Sequence, residues 1–203
     1  MNKLVRGVSL FALAAAVSGC ASSLMRETGT NEIPPPAPDK ATVVFMRTSF
    51  VSAATGADLF EVLDGQLKFI GALNKGTKIA YETTPGRKVF MAYGYAADFM
   101  LGNLQGGKIY YAIVRPNWGS VGMIPTPIRA PGASGAYSMA SPEFASWVAG
   151  TTLIAPNEGA NEWFSTVKDR YQKIYADYWA KFEQKSPAQK AERTLNPEDG
   201  VSR

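Results

Sequence analysis

The sequence predicts an α+β fold, mainly an antiparallel β-sandwich of about seven strands with an amphipathic helix near its C-terminal end. Two observations support the sandwich. Short β-branched and aromatic runs recur between residues 41 and 128, and turn signals separate them at spacings of about 8–12 residues with no helical stretch between them. A third observation, one long apolar stripe with helical spacing, predicts the helix.

The first twenty residues have the pattern of a bacterial export signal. Lys3 and Arg6 give a positive start, and the apolar run from Val8 to Val17 is too short to span a bilayer. The run ends in Val17-Ser18-Gly19-Cys20, which resembles the lipobox of bacterial lipoproteins. The resemblance implies cleavage just before Cys20 and a lipid on its thiol. The alternative is a general signal peptide beside an incidental Cys.

The residues around the predicted cleavage site suggest where the protein is anchored. Cys20 is the only Cys in the chain, so no disulfide can form within it, and a lipid would consume an otherwise reactive thiol. By the rule of that lipoprotein class, Ala21 at the second position implies transfer to the outer membrane, on its periplasmic face. The polar, Pro-containing segment Ala21 to Lys40 predicts a flexible tether about 25 Å long.

Seven segments in the middle of the chain are predicted to be strands. They cover residues 41–47, 59–63, 67–70, 78–82, 88–93, 109–114 and 121–124. The last is weaker because Pro125 and Pro127 follow it. Asp64-Gly65 is the strongest hairpin signal, because a type I′ turn needs positive φ at both central positions. Pro85-Gly86 and Gly106-Gly107 mark further turns.

Three turn motifs in this region occur in a fixed order. They are Val62 to Gly65, Thr84 to Phe90 and Gly106 to Tyr111. Together they resemble an uncharacterised family of Gram-negative (proteobacterial) lipoproteins, similar in pattern to small PEGA-like and transthyretin-like sandwich modules. The resemblance implies a β-sandwich in the cell envelope with no established activity. Because the motifs consist of turn residues, they indicate a fold and assign no functional residue.

The composition excludes several kinds of chemistry. The chain contains no His, so it holds neither a Ser-His-Asp nor a Cys-His catalytic group and no His-ligated metal. We predict no cofactor and no metal site. Residues 20–203 carry 19 basic and 17 acidic side chains, since Lys3 and Arg6 account for two of the 21 basic groups. That balance, without any Lys/Arg block, argues against nucleic-acid binding.

Two short motifs match known nucleotide or catalytic patterns only in part. Gly102 to Lys108 fits GxxxxGK by count, but Ile109 and a predicted strand follow it where a phosphate loop needs Ser or Thr and a helix. Ser165 and Lys168 form an SxxK pair, which could work without His. The SDN-like and KTG-like elements that accompany this pair in penicillin-recognising enzymes are absent.

The carboxylates and aromatics of the strand region have an ordinary structural interpretation. Asp58, Glu61 and Asp64 are spaced by three, which puts neighbouring carboxylates on opposite faces of a strand and argues against an acid–base pair. We interpret them as solvated groups, while long-range pairing with Glu82 or Asp98 stays open. Six aromatics are interpreted as filling the core and rim, or alternatively as a glycan-stacking patch: Tyr93, Tyr95, Phe99, Tyr110, Tyr111 and Trp118.

The C-terminal part is predicted to be helical. Ser141-Pro142 begins a short helix that Gly150 ends, one long helix runs from about Asn161 to Lys185, and Ser186-Pro187 begins a third with Gln189 in a capping box. The apolar stripe of the long helix comprises Phe164, Val167, Tyr171, Ile174, Tyr178 and Phe182, widened by Trp163, Tyr175 and Trp179. We expect the stripe to pack on the domain's own sheet; the alternative is an envelope-protein partner or a second copy.

These observations divide the chain into four predicted segments. They are a signal peptide (1–19), a lipid-bearing Cys20 with a Pro-rich tether (20–40), a β-sandwich (41–134) and a helical extension (135–203). The leading functional hypothesis is a non-enzymatic, lipid-anchored envelope protein that offers its domain for protein contact or envelope structure. Its alternatives are a glycan- or lipid-binding module that uses surface aromatics and, ranked below both, a small Ser/Lys hydrolase. The sequence does not indicate an oligomeric state.

Overall fold

The computed structural model describes residues 24–48, 56–117, 122–133 and 137–202. Its strands are β1 (Met25–Glu27), β2 (Ala41–Arg47), β3 (Ala57–Leu63), β4 (Gln66–Leu73), β5 (Thr77–Thr83), β6 (Gly86–Tyr93), β7 (Ala97–Leu104), β8 (Lys108–Pro116), β9 (Met123–Pro127), β10 (Thr152–Pro156) and β11 (Thr194–Leu195). Its helices are α1 (Pro142–Ala149), α2 (Ala160–Glu183), α3 (Pro187–Glu192) and a 3₁₀ turn (Pro197–Asp199).

The strands form two mixed sheets. One has six strands in the order β1-β10-β5-β2-β8-β9, and the other has five in the order β11-β7-β6-β3-β4. The pairs β10–β5, β2–β8 and β11–β7 are parallel, and the other pairs are antiparallel. The α+β class is therefore confirmed. The predicted antiparallel architecture of about seven strands is not, since the described residues contain eleven strands in mixed sheets.

Six of the seven predicted strand segments lie in β2 to β6 and β8. The seventh, 121–124, overlaps β9 at Met123 and Ile124, while Gly122 precedes the strand and Val121 lies outside the described residues. The sequence missed four others for two reasons. β1 and β11 have only three and two residues, too few to show an alternating pattern. β7 and β10 contain strand-breaking residues such as Asn103 and Pro156 and are held by their neighbours in the sheets.

The prolines of β9 do not end the strand. β9 lies at the edge of the six-stranded sheet, where Pro125 is opposite Val114 and Pro127 is opposite Ala112. A proline lacks the N–H that a further neighbouring strand would need, so an edge strand is where a sheet accepts it. The same prolines oppose the pairing of another chain at that edge.

The two sheets share one apolar interior. Every residue of β2 is buried, because Val43 and Phe45 point between the sheets while Val44 and Met46 point to the outer face, which is also covered. Phe45 meets Phe90 of the opposite sheet edge to face, with ring centroids 5.3 Å apart. A strand that is apolar on both faces is typical of a buried central position.

A helix lies on the outer face of each sheet. Phe144 and Trp147 of α1 pack on the six-stranded sheet, where the Phe144 ring lies 5.0 Å from that of Tyr111. α2 packs on the five-stranded sheet over an aromatic layer that includes Phe60, Phe69 and Phe99. The order of layers is therefore helix, sheet, sheet, helix.

The stripe of α2 packs on the domain's own sheet, as expected from the sequence. The Tyr171 ring lies 4.8 Å from that of Phe60, and the Phe182 ring lies 5.4 Å from that of Phe99. All nine residues of the stripe and its widening belong to this layer. Gln172 adds a polar contact between α2 and the β3–β4 hairpin. Its side chain donates to the carbonyl of Gly65 (2.6 Å) and accepts from the amide of Leu67 (3.3 Å).

Replacing Phe182 with Ala should therefore destabilise the protein strongly. Phe182 is 2% exposed and contacts the rings of Phe99 and Trp179, so its removal leaves a cavity costing about 3–5 kcal/mol. Asp177→Ala on the exposed side of the same helix should change the free energy of unfolding by less than about 0.5 kcal/mol. Urea unfolding of both variants tests this, and equal effects would contradict the packing of α2 on the sheet.

Part of the predicted tether is folded onto the domain. β1 pairs antiparallel with β10, with Met25 opposite Pro156, and both Met25 and Ile33 are buried. The tether prediction for residues 20–40 is therefore wrong from Met25 onward, because these isolated apolar residues show no periodicity in the sequence. The predicted division at residues 134 and 135 is also not a structural boundary, since β10 and β11 of the predicted extension lie in the two sheets.

Two turns depend on their glycines. Asp64 and Gly65 both have positive φ (48° and 76°), which confirms the predicted β3–β4 hairpin turn. At Gly106 the limit is space, because a Cβ there would lie 1.9 Å from the carbonyl oxygen of Pro38. The segment before β2 is held at this point, where the amide of Gly107 donates to the carbonyl of Lys40 (2.8 Å).

Gly106→Ala should displace the segment around Pro38 and destabilise the protein by about 1–3 kcal/mol, as overpacking does. The matched control is Gly159→Ala, whose new Cβ would meet nothing closer than 3.6 Å. Thermal unfolding and hydrogen exchange of residues 37–40 measure the effect. If Gly106→Ala behaved like the control, the close approach of these two segments would be refuted.

Candidate functional site

The predicted cleavage site between Gly19 and Cys20, and with it the predicted lipid attachment at Cys20, lies outside the described residues. The first described residue is Leu24, and its position is fixed by the fold. Its carbonyl accepts a hydrogen bond from the amide of Asn157 (3.0 Å), three residues before α2 begins. The side chain packs against both the interior between the sheets and the aromatic layer under α2.

The surface around Leu24 is polar. Arg26 and Glu27 of β1 are exposed, and so is Glu158 beside the start of α2. An open cavity of about 330 Å³ lies here, lined by Arg26, Asn157, Glu158 and Gly159. This end of the domain combines one cationic and several acidic side chains with the N-terminal end of the longest helix described.

The prediction that Asp58 and Glu61 lie on opposite faces of their strand is correct, but the prediction that both are solvated is wrong. Asp58 reaches Tyr171 of α2, on the helix side of the five-stranded sheet, whereas Glu61 reaches β5 of the other sheet. The two carboxylates therefore lie on opposite faces. Glu61 is only 1% exposed, however, because the residues that cover it come from strands distant in sequence.

Glu61 is the centre of a buried polar cluster between the sheets. Its carboxylate accepts hydrogen bonds from the hydroxyls of Tyr81 (2.5 Å) and Thr83 (2.8 Å), and the Lys88 ammonium lies 3.1 Å away. Burial and the neighbouring carboxylate raise the pKa of Tyr81 well above its ordinary value, so its hydroxyl remains a donor. The hydroxyl of Thr84 accepts a further bond from Lys88 (2.8 Å).

Asp58 joins α2 to the five-stranded sheet. It accepts a hydrogen bond of 2.6 Å from the Tyr171 hydroxyl. Burial raises the pKa of Asp58, although the Tyr171 bond and the positive charge of Arg170 act in the opposite direction. The cost of burying the charged form therefore outweighs the favourable contacts.

The other carboxylates that the sequence singled out lie in separate places. Asp64 is in the hairpin turn, and Glu82 is exposed on β5. Asp98 accepts from the amide of Phe99 (2.8 Å) and pairs with Arg193 at 3.2 Å. Glu61, Asp58 and Asp98 thus each have a contact of their own that holds two elements together.

Among the described residues, three buried cationic side chains are not predicted by the sequence, Arg47, Lys78 and Arg129, and two of them each bind several groups of the fold. Lys78 is 1% exposed, and its ammonium donates to the carbonyls of Val148 (2.7 Å) and Thr151 (2.8 Å). These carbonyls belong to the C-terminal end of α1 and the residue after its cap, where a cation is favourable. Burial lowers the pKa of Lys78. No local pattern could have shown this, since the acceptors lie about 70 residues away along the chain.

The second is Arg129, which holds the C-terminal segment. Its guanidinium donates to the Asp199 carboxylate (2.8 Å) and to the carbonyls of Thr194 (2.5 Å), Ala191 (3.0 Å) and Glu192 (3.2 Å). A cavity of about 420 Å³ opens beside it. The planar, five-donor guanidinium suits this multiple contact with carbonyls and a carboxylate.

Side chains of the two partial motifs, GxxxxGK and SxxK, make hydrogen bonds within the fold. Gly102 to Lys108 joins β7 to β8, and the Lys108 ammonium donates to the carbonyl of Pro197 (2.9 Å). Ser165 lies on the exposed side of α2, where its hydroxyl donates to the carbonyl of Glu162 (2.7 Å). Within the described parts of the chain, neither motif lines one of the cavities described above.

The aromatics confirm the core interpretation for most positions. Phe99, Tyr110 and Tyr111 are buried, and the two tyrosines point to opposite faces of the six-stranded sheet. Tyr93 packs edge to face on Tyr171 with centroids 5.5 Å apart. Tyr95 is the exception at 68% exposed. Trp118 lies outside the described residues.

Among the residues that the structure describes, no three Asp or Glu side chains lie close enough together to hold a metal ion. No helix within those ranges is both long and apolar enough to span a membrane. A comparison with known protein families and with curated proteins finds no match to this chain.

Glu61→Ala should destabilise the protein by about 3–5 kcal/mol, because it leaves Lys88 and two hydroxyls buried without their carboxylate. Glu82→Ala, one residue away from Tyr81 on the same strand but exposed, should change stability by less than about 0.5 kcal/mol. Chemical unfolding of both variants at neutral pH tests the difference. A small effect at Glu61 would contradict a buried charged cluster.

Asp58→Asn should change how stability depends on pH. Because the pKa of Asp58 is raised in the folded state, its contribution to stability is fully present below the unfolded pKa of about 4 and is lost as the pH rises through the folded pKa. Asn keeps the acceptor for Tyr171 without the charge. The variant should therefore be at least as stable as the parent at pH 7 and lose this advantage near pH 3.

Melting curves of Asp58→Asn and the parent between pH 3 and pH 8 provide the measurement. Asp58→Leu is the control, since it removes the acceptor of Tyr171 and should destabilise at every pH. If Asp58→Asn lost stability relative to the parent as the pH rose, the ionised form would be the favoured one and the direction of the pKa shift would be wrong.

Proposed function

We propose that this protein is a lipid-anchored protein of the bacterial cell envelope, held at the periplasmic face of the outer membrane, whose domain acts by contact rather than by catalysis. The observation that carries the proposal is the Val17-Ser18-Gly19-Cys20 sequence after a short apolar run. A folded strand begins five residues after Cys20, at Met25, as expected if the chain before Cys20 is removed and the rest is the working protein.

The buried charged side chains are bonded to other parts of the fold, which supports a non-enzymatic role. Glu61, Lys78 and Arg129 are each bound to partners from other strands or helices, through several short hydrogen bonds. Side chains whose bonding capacity serves the fold are poor candidates for proton transfer to a substrate, which needs a positioned group within reach of that substrate. Contact through the outer surface agrees better with this arrangement.

A protein contact through α2 would use the exposed side of the helix, because its apolar stripe is occupied by the domain's own sheet. Asp169, Lys173, Asp177 and Lys181 alternate in charge along that side. A partner would therefore meet a charged surface, and the contact would weaken as salt concentration increases.

The alternative function is a module that binds glycan or lipid through surface aromatics. Tyr95 is the observation in its favour, since a ring that is 68% exposed is available for stacking on a sugar. The burial of Phe99, Tyr110 and Tyr111 removes most of the patch that this hypothesis needs. A Ser165/Lys168 hydrolase has less support, because the Ser165 hydroxyl is directed at its own helix.

Cys20→Ser tests the proposal directly. The lipoprotein signal peptidase acts after lipid has been added to the thiol, so the variant should accumulate as uncleaved precursor and incorporate no labelled palmitate. The control is Ser18→Ala, which keeps a small residue before the cleavage site and should be processed and labelled normally. Efficient cleavage of Cys20→Ser to a soluble mature form would contradict lipid anchoring.

A further inference from the structure

We infer that the lipid on Cys20 holds the domain directly against the membrane, with β1 and the first turn of α2 facing the lipid headgroups. The inference deepens the proposed function and rests on its lipid anchor. It also replaces the long tether expected from the sequence with a short one.

The length of chain between the lipid and the fold sets the distance. Cys20 and Leu24 are four Cα–Cα steps apart, so they are separated by at most about 15 Å whatever conformation the residues between them adopt. A compact domain of this size is about 40 Å across. The connecting chain is therefore shorter than half the width of the domain, and only the surface near Leu24 can approach the headgroups closely.

Leu24 cannot move away from the domain without breaking specific contacts. Its carbonyl is bonded to Asn157, and the next residue, Met25, is 8% exposed in β1. The amide of Thr28 donates to the carbonyl of Leu153 (3.1 Å) at the other end of the same pairing. Leu24 is thus held by a backbone bond next to the edge strand β1, and α2 begins three residues after Asn157.

The charge of this surface indicates that lipid insertion, and not electrostatic attraction, brings it to the membrane. Its exposed charged side chains are Arg26, Glu27, Glu158 and Glu162, one cation against three acids. Electrostatic binding to anionic headgroups needs a cluster of Lys or Arg side chains. The approach of this face should therefore be insensitive to salt.

Labels at the two ends of α2 can report which end of the domain lies closer to the membrane. Its 24 residues span about 36 Å, so its first and last turns are separated by almost the full width of the domain. Asn161 in the first turn and Ala180 near the end are both exposed and lie about 28 Å apart. Because Cys20 is the only Cys and its thiol carries the lipid, Asn161→Cys and Ala180→Cys each provide a single labelling site.

The full-length lipidated variants, each labelled with the same fluorophore, are placed in vesicles of phosphatidylethanolamine and phosphatidylglycerol containing a nitroxide-headgroup lipid. The label at residue 161 should be quenched several-fold more strongly than the label at residue 180, at low and at high salt. A third variant carries about 20 additional Gly and Ser residues between Ser23 and Leu24, a spacer of about 25 Å. In this variant the excess quenching at residue 161 should disappear.

The outcomes separate the inference from the anchor on which it rests. If the protein floats with the vesicles but both labels are quenched equally, or if the spacer changes nothing, the anchor stands and the orientation is overturned. If the protein does not float with the vesicles, the lipid anchor fails and the inference fails with it. Strong quenching at residue 161 that requires the short connection supports both.

Discussion

The structure depends on the antiparallel pairing of β1 with β10. This pairing joins the first described residues to a strand that lies between β1 and β5 and that leads, after Pro156, directly into α2. Asn157 and Thr28 donate the backbone bonds that close its two ends. A single short ladder therefore fixes the start of the folded chain, one edge of the six-stranded sheet and the first turn of the longest helix described. The distance between the lipid that we propose on Cys20 and the domain follows from it.

In the remaining long-range contacts, apolar groups provide stability and polar groups fix the relative positions of the layers. Apolar packing supplies the bulk of the stabilisation, through the aromatic layer between α2 and the five-stranded sheet and through the largely aliphatic interior shared by the sheets. Glu61, Lys78 and Arg129 then fix how the layers meet, because each bonds to groups from a different element. Burying these charges is tolerable only with such partners, which explains why each has several.

Features encoded by local patterns could be predicted from the sequence. The hairpin at Asp64-Gly65, the capping box of Ser186 and Gln189 and the stripe of α2 all depend on residues close together in the chain, and all are present. Features that depend on distant partners could not. The parallel pairing of β2 with β8, the strand at Met25 and the burial of Glu61 leave no periodic signal, because their partners lie elsewhere in the chain. The predicted lipid site is the reverse case, a clear local motif that lies outside the described residues.

Hydrogen exchange of the full-length protein tests the central claim most directly, namely that the chain is folded from β1 onward. The amides of Thr28 and Asn157 close the β1–β10 ladder, and the amide of Leu153 donates to the side chain of Asn31 (2.7 Å). The backbone amides of residues 26–28 that pair with β10 should therefore be protected from exchange together with those of β10. Exchange at the rate of an unstructured peptide in residues 26–28, with β10 still protected, would mean that the tether is long and free and would contradict the account.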